Sequence, residues 1–497
     1  MNLPSAFKER TSRLLGESAY EALETALQSE APTSIRINTT KWKGILKSEV
    51  SVPWCEHAYY LSTRPAFTFD PLFHAGCYYV QEAASMFLAQ AMKQYVQSPV
   101  IMLDLCAAPG GKSTLARSIL PEGSLLVSNE IIKSRSQILA ENIIKWGGSA
   151  ATIVTNNDSA DFSGFTHLFD VILTDVPCSG EGMIRKDANA ITEWSEANVE
   201  LCWKRQREII RNIWPTLKPD GILIYSTCTY NREENEDNVM WICNELGAEV
   251  LEVPTNPEWN IAGSQTETDI PVYRFLPHKT QGEGLFMAVL RKREESNGNE
   301  IDEVYSNENT KSKKKTSKGK ETSTIPANVK DWINNKDLYE WEISNNIISA
   351  FPKLFYSEYI KLKQKLRIVH AGIEVAEVKG KDCIPAHNLT MSHASELAAF
   401  PKAEINYEQA IAFLRKEALT LSSETPKGYV IVTYQDQLHS QLRHFLRLCR
   451  AGKLFRKEAC CHRICFHQLI CIGRWRRKPL HISGLLFSHQ LCRYAHT

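Results

Sequence analysis

Between residues 99 and 228, five short apolar runs recur with amphipathic stretches between them, a pattern few folds accommodate. The runs are VIMLDLC (100–106), LLVSNE (125–130), ATIVTN (151–156), FDVILTDV (169–176) and GILIYSTC (221–228). Each reads as a buried strand. Helices fit the intervening STLARSIL, SRSQILAENIIKWG and SEANVELCWKRQREIIRNIWPTLK. In the last of these Val199, Trp203, Ile210, Ile213 and Leu217 share one face at helical spacing. Strands alternating with helices imply an α/β fold with a doubly wound, mostly parallel sheet. VYRFLPHK (272–279) and GLFMAVLRK (284–292) predict a closing antiparallel hairpin.

The flanks differ from this core. Residues 1–30 show helical spacing, and SIRINTTKW (34–42) alternates like a strand with Arg36 and Asn38 on its polar face. GCYYVQEAASMFLAQAM (76–92) runs from a short strand into a helix; Tyr78, Gln81 and Glu82 are candidates to line a site, with packing at the sheet edge the favoured reading. Residues 294–326 hold six lysines within KSKKKTSKGK (311–320) and few apolar side chains, too few to order the segment. A second folded region, 327–436, opens with a Trp/Phe-rich stretch expected to be helical to about residue 366. Strands are expected within 367–378 and 428–435, with a helix at NYEQAIAFLRKEAL between them. Beyond 437 the composition changes abruptly: six of the 14 Cys, seven of the 14 His and 12 Lys/Arg accompany one acid, Glu458. Cys460, Cys461, His462, Cys465, His467 and Cys471 invite a zinc reading, but their spacing matches no standard paired-ligand pattern. Residues 437–497 have the character of a tail read out of frame, and no metal site is assigned there.

With 58 basic against 57 acidic residues, the net charge of +1 points to no partner class. The N-terminus lacks a secretory apolar region, and no run of about 18 apolar residues predicts a membrane span. A cytoplasmic protein is expected, with reduced thiols.

Two runs end in a cysteine among small, turn-forming residues: TDVPCSGEG (174–182) and YSTCTY (225–230). This places Cys178 and Cys228 at the carboxyl edge of the parallel sheet, where open α/β sheets bind ligands, with Asp175 beside them. Either cysteine alone also reads as an apolar filler; two such motifs in one chain favour chemistry. LDLCAAPGGKS (103–113) follows the first strand. Pro109, Gly110 and Gly111 permit a tight turn and close backbone approach to a ligand, and the helix start that follows favours an anionic group. GGKS suggests a phosphate loop, but Cys106 stands where that motif needs its first glycine. Glu130, ending the second strand, is placed for ribose hydroxyls or is a solvated acid. Asp158, after the third, is placed for an adenine edge or is a turn former. A nucleoside-containing cofactor fits all three.

Together LDLCAAPGGKS, SNE, NND, DVPCSGEG and GILIYSTCTYNREENE resemble, in order and spacing, the Sun-type (Nol/Nop/Sun) RNA cytosine-C5 methyltransferases, as do PTSIRIN and GCYYVQEAASM upstream. The resemblance covers roughly residues 3–292, with a weaker likeness at 329–436 to the accessory RNA-binding region of the bacterial ribosomal-RNA members. It implies a Rossmann-like class I methyltransferase domain at 76–293, using S-adenosyl-L-methionine. Flanking it would be an N-terminal α/β RNA-binding region (1–75), a Lys-rich linker (294–326) and an α+β, PUA-like module (327–436). It implies Cys228 as nucleophile, Cys178 assisting release and Asp175 at the target base. Cys106, Ala107, Ala108, Pro109, Gly110, Gly111, Lys112, Glu130, Asp158 and Asp175 would surround the cofactor. The implied partner is RNA, 16S ribosomal RNA of the small subunit foremost, with no DNA, membrane or obligate protein partner. Arg36, Lys41, Arg185 and Lys186 are candidate phosphate contacts. Transfer RNA as acceptor and a non-catalytic assembly role are the rival readings; the second predicts a broken cofactor loop or a lost cysteine, and neither is seen.

Overall fold

The computed structural model describes residues 2–44, 46, 48–267, 269–293 and 325–434, together with the backbone of Phe445–Ala451. The lysine run at 311–320 and the Cys/His-rich stretch at 460–471 lie outside the described residues.

A nine-stranded sheet forms the centre. Five parallel strands lie in the order Leu217–Thr227, Phe169–Asp175, Ile101–Asp104, Leu125–Asn129 and Thr152–Thr155. Chain order therefore reverses between Ile101–Asp104 and Phe169–Asp175, the point at which such sheets leave a crevice at their carboxyl edge. The strands are continuous apolar runs because both sheet faces are covered. Met102, Leu126, Val171, Leu173 and Ile224 face one way, onto Leu88, Met92, Leu115 and Ala116 from the helices Leu88–Tyr95 and Gly111–Ile119. Leu103, Val127, Ile172, Leu223 and Tyr225 face the other, onto Ile210, Ile213, Val239 and Ile242 from Glu196–Ile213 and Glu236–Leu246. The predicted hairpin is present: Val272–Phe275 pairs with Leu285–Lys292, which runs antiparallel to Leu217–Thr227. The fold is thus the expected Rossmann-like α/β class.

Two flanking expectations are corrected. The stretch expected to be helical to 366 is interrupted by strand: Tyr339–Ser344 and Ile347–Pro352 form a hairpin, and only Tyr356–Lys365 is a long helix. The aromatic residues there alternate across a half-buried pleat rather than following a helical stripe. Ile368–Ala371, expected within the C-terminal module, instead pairs antiparallel with Thr152–Thr155 and becomes the last strand of the central sheet. Phe351, Tyr359 and Leu362 join the same core as Phe162 and Ile210. The rest of the C-terminal region holds a four-stranded antiparallel sheet and a three-stranded one, in which Lys402–Ile405 runs parallel to Gly428–Tyr434.

At the N-terminus the helices Ser5–Leu15 and Glu17–Leu27 meet at Gly16. Phe7, Tyr20, Leu23 and Leu27 pack on Ile184, Trp194, Tyr230 and Leu276, close behind both cysteine loops. Thr33–Ile37 lies in a four-stranded antiparallel sheet and is buried along its whole length. Arg36 and Asn38 therefore face no solvent. Arg36 Nε donates to Gln81 Oε1 at 2.9 Å, its NH2 to Thr114 Oγ1 at 2.8 Å, and its guanidinium stacks on Trp146. Asn38 Nδ2 donates to the carbonyls of Gly76 and Trp146. The alternation reflects internal hydrogen bonding, not an exposed face.

Candidate active site

Phe169–Asp175 and Leu217–Thr227 are hydrogen-bonded neighbours, with Asp175 opposite Ser226 in register. Cys178 lies three residues beyond the first strand and Cys228 one beyond the second, so both thiols emerge at the same edge. Their sulfurs are 3.0 Å apart and both cysteines are free. The backbone N–H of Cys228 also points at Cys178 Sγ, at 3.4 Å. Hydrogen bonding with Cys228, then burial, pushes the Cys178 thiol well above its ordinary value. Cys178 therefore keeps its proton at neutral pH.

Asp175 stands beside them under fixed orientation. Lys112 Nζ donates to its Oδ2 at 2.7 Å and Ser226 Oγ to its Oδ1 at 2.8 Å. Burial alone would lower the Lys112 ammonium, and the Asp175 carboxylate more than offsets it, holding the group above its ordinary value. Lys112 remains a cation between the cofactor loop and the cysteines.

The loop after Ile101–Asp104 turns through Gly110, at φ +113°, a backbone state that L side chains rarely adopt. Helix Gly111–Ile119 begins directly after it. The loop is tied from outside: Ala107 N–H donates to the Asn129 carbonyl, Arg135 NH2 to the Ala108 carbonyl, and Asn142 Nδ2 to the Pro109 carbonyl. Burial raises the Cys106 thiol, which stays neutral. Asp104 is fully buried; Ser113 Oγ donates to its Oδ2 at 2.6 Å while its Oδ1 has no partner. Burial pushes this carboxyl up to about 7. Glu130, almost wholly buried, accepts from the Ile132 N–H and sits 3.4 Å from Arg135. Asp158 is exposed and accepts from the Ala160 N–H of its own turn.

The predicted residues divide accordingly. Cys178, Cys228, Asp175 and Lys112 are brought together, and Cys106, Asp104 and Glu130 adjoin them across the switch point. Asp158 lies further out, in the loop beyond the third strand. Of the four basic residues read as phosphate contacts, Arg36, Lys41 and Arg185 are engaged elsewhere, and Lys186 is exposed. Arg36 is internal; Lys41 is buried and donates to the carbonyls of Ala75 and Lys145. Burial lowers Lys41 to about 8. Arg185 and Lys186 attend Glu283, Arg185 at 2.9 Å. Buried charge needs a partner, and these side chains found theirs in the fold.

Sequence reasoning missed Glu181, Glu234 and Glu236, which are all buried beneath the cysteine loops. Glu236 forms a two-pronged pair with Arg274, which also donates to the Tyr230 carbonyl at 2.6 Å. Glu181 and Glu234 accept hydrogen bonds only from the loops themselves and from Trp194 and Gln206. The one signal in the chain is that acids flank both cysteine motifs, and it does not say which of them turn inward.

The glycine turn, the helix start, the unpartnered Asp104 oxygen and the acid ending the next strand together fit a nucleoside cofactor with a charged amino-acid end.

Comparison with known proteins agrees with that geometry. A model of 16S rRNA methyltransferase RsmB/F matches residues 92–291, and one of the N-terminal domain of 16S rRNA methyltransferase RsmF matches residues 3–83. Together these segments span more than half of the chain. Ribosomal RNA small subunit methyltransferase F of Pectobacterium atrosepticum is 32% identical over 308 residues, covering 59% of this chain and 63% of that relative. The protein of the same name from Vibrio parahaemolyticus is 27% identical over 467 residues, 87% of this chain and 93% of its own. A crystal structure of a methyltransferase homolog protein from Pyrococcus horikoshii superposes with a TM-score of 0.50 at 26% identity, over 58% of this chain and 95% of that one. NSun6 from the same organism, at 20% identity and a TM-score of 0.50 over 59% of this chain and 99% of its own, shares the fold. Because the first model rests on the segment carrying the glycine turn and both cysteines, the chain belongs to the RsmB/F family of S-adenosylmethionine-dependent methyltransferases.

Proposed function

We propose that this protein methylates C5 of a cytosine in RNA, and that its acceptor is the 16S RNA of the small ribosomal subunit. The observation that carries the chemistry is the pair of free cysteines 3.0 Å apart beside a carboxylate held by Lys112 and Ser226. The names of the relatives support the acceptor.

C5 of cytosine is a weak nucleophile. In the proposed mechanism Cys228 gives its proton to solvent, its thiolate bonds to C6 as the C5=C6 π pair shifts to C5, and one hard step is divided into two easier ones. S-adenosylmethionine supplies the methyl group as a sulfonium. Residues 106–112, with the N-terminus of helix Gly111–Ile119, and Glu130 would hold that cofactor, with Asp158 at its far end. Asp175 would accept from the N4 amino group and so orient the base, with Lys112 and Ser226 fixing its own orientation. Cys178 serves release. In the resting pair its proton is retained chiefly because of Cys228. Once Cys228 is bound to C6 that cause is removed. Cys178 first passes its own proton to solvent water; as the thiolate it then takes the C5 proton, directly or through water, while the C6–S bond breaks and Cys228 leaves as the thiolate. The base reaches the cleft from a single strand or by leaving its stack.

The test supplies labelled S-adenosylmethionine with unmodified small subunits, naked 16S RNA and transfer RNA as acceptors. Label in the first or second that vanishes in Cys228→Ala, recovered as 5-methylcytosine, supports the proposal. Label in transfer RNA alone would overturn the acceptor; label at another base would overturn the chemistry.

A further inference from the structure

The loops that follow the two cysteine-bearing strands exchange buried carboxylates. Glu181, three residues past Cys178, reaches into the other loop: its Oε2 accepts from Thr229 Oγ1 at 2.6 Å, the Tyr230 N–H at 2.6 Å and the Asn231 N–H at 3.0 Å. Glu234, six residues past Cys228, reaches back. Its Oε2 accepts from the Ser179 N–H at 3.0 Å and Gln206 Nε2 at 2.7 Å, and its Oε1 from Asn231 Nδ2 at 2.7 Å. Between them the Gly182 N–H donates to the Cys228 carbonyl at 2.7 Å. A Cβ at position 182 would stand 2.7 Å from that same oxygen, so only glycine lets the two backbones lie this close.

Strand pairing cannot by itself set the distance between the sulfurs. The register of the two strands ends at Asp175 and Ser226, and Cys178 is three residues beyond Asp175. The segment between them must be fixed by what the loops touch. Burying two carboxylates is costly unless donors surround them, and here donors do, most of them from the opposite loop. We propose that Glu181 and Glu234 are positioning residues for methyl transfer, and that their exchange between the loops sets the separation of Cys178 Sγ and Cys228 Sγ. The inference rests on the reading of these cysteines as the reacting pair, but its geometry is testable without RNA.

Glutamine is the informative replacement. Both oxygens of each carboxylate face donors, Glu181 Oε1 being met by Trp194 Nε1 at 2.9 Å. An amide would therefore turn its NH2 against another N–H whichever way it sat. A misplacement of about 1 Å at a reacting atom costs about 100-fold in rate.

The experiment treats the full chain with diamide, whose azo group takes up two hydrogens as the two thiols become a disulfide, and follows the Cys178–Cys228 cross-link by peptide mass. Glu181→Gln and Glu234→Gln are expected to cross-link at least about tenfold more slowly than wild type. Their kcat for methyl transfer falls by a similar factor while KM for S-adenosylmethionine stays within about twofold. Glu233→Gln, which loses only a surface pair with Arg10, cross-links and turns over as wild type does. Should the glutamine variants fail to fold, Thr229→Val removes one donor to Glu181, together with the Thr229 contacts to Ser179 Oγ and Asn231 Nδ2, without a change of charge. It is expected to slow cross-linking at least about threefold. Folded variants that cross-link at the wild-type rate would overturn the proposal, even if their kcat falls. Slowed cross-linking in a protein whose wild type methylates no RNA would uphold the positioning and refute the function.

Discussion

On the cysteine side of the sheet edge, Glu181, Glu234 and Glu236 are each surrounded by donors. On the cofactor side, Asp104 keeps one buried oxygen without a partner, Glu130 bonds within its own loop, and Asp158 lies exposed. Both sides carry three acids at or beyond the strand ends, yet only on the cysteine side do both oxygens of every acid meet donors from the fold. A reacting pair must be rigid before substrate arrives, because small displacements are costly in rate. A cofactor loop needs groups that remain able to bond to a ligand. Lys112 joins the two halves, since it starts in the cofactor helix and ends on Asp175.

The harshest way to break this comparison is to remove the rigid side's sulfur. Cys228→Ala is expected to lose methyl transfer by at least about a thousandfold while still binding S-adenosylmethionine, as measured by calorimetry alongside turnover. Cys178→Ala is expected to methylate once and then stall, leaving a protein–RNA adduct that survives denaturing electrophoresis. An adduct in wild type that persists equally would remove Cys178 from release. The joint between the halves is next. Asp175→Asn keeps the shape but not the charge, and kcat should fall about 100- to 1,000-fold with KM for RNA little changed.

The strand-end cysteines were legible because each closes an apolar run with small turn residues, and the sheet because its runs alternate with helical stretches. The glycine turn was legible because Pro109, Gly110 and Gly111 allow little else. What escaped was settled by distant partners. The five residues 367–371 do not say that their strand will complete the sheet begun at Ile101; that depends on the free edge of Thr152–Thr155. Arg36 and Lys41 look like surface charges until the carbonyls of Ala75, Gly111 and Lys145 are brought around them. Glu233 and Glu234 are adjacent, yet one pairs with Arg10 at the surface and the other is buried, a choice made by loop geometry.

The cofactor side is sharpened by pH. Asp104 is held up at about 7 by burial, above the roughly 3.9 of an unfolded aspartate, so the folded state binds its proton more tightly. Its contribution to stability is complete below about pH 4 and is lost as pH rises through about 7. Asp104→Asn, which mimics the protonated carboxyl, should remove this slope. The variant should gain on wild type between pH 5 and pH 8 by on the order of a few kcal/mol, read from urea unfolding at both values. Parallel pH profiles would show that Asp104 ionises freely in the fold.

The smallest effect is expected at Asp158, where the contrast between the two sides is weakest. Its carboxylate already accepts from the Ala160 N–H and takes part in a reciprocal cap with Asp161. A side chain with one oxygen engaged in its own turn has one left for an adenine edge, and a single exposed hydrogen bond contributes little. Asp158→Ala should therefore weaken S-adenosylmethionine binding about three- to tenfold and leave kcat at saturating cofactor unchanged. Titration with the cofactor and with 5′-deoxy-5′-methylthioadenosine, which lacks the amino-acid end, separates the contributions. An equal loss for both ligands places Asp158 at the nucleoside, and no loss for either leaves it as a cap of its own turn.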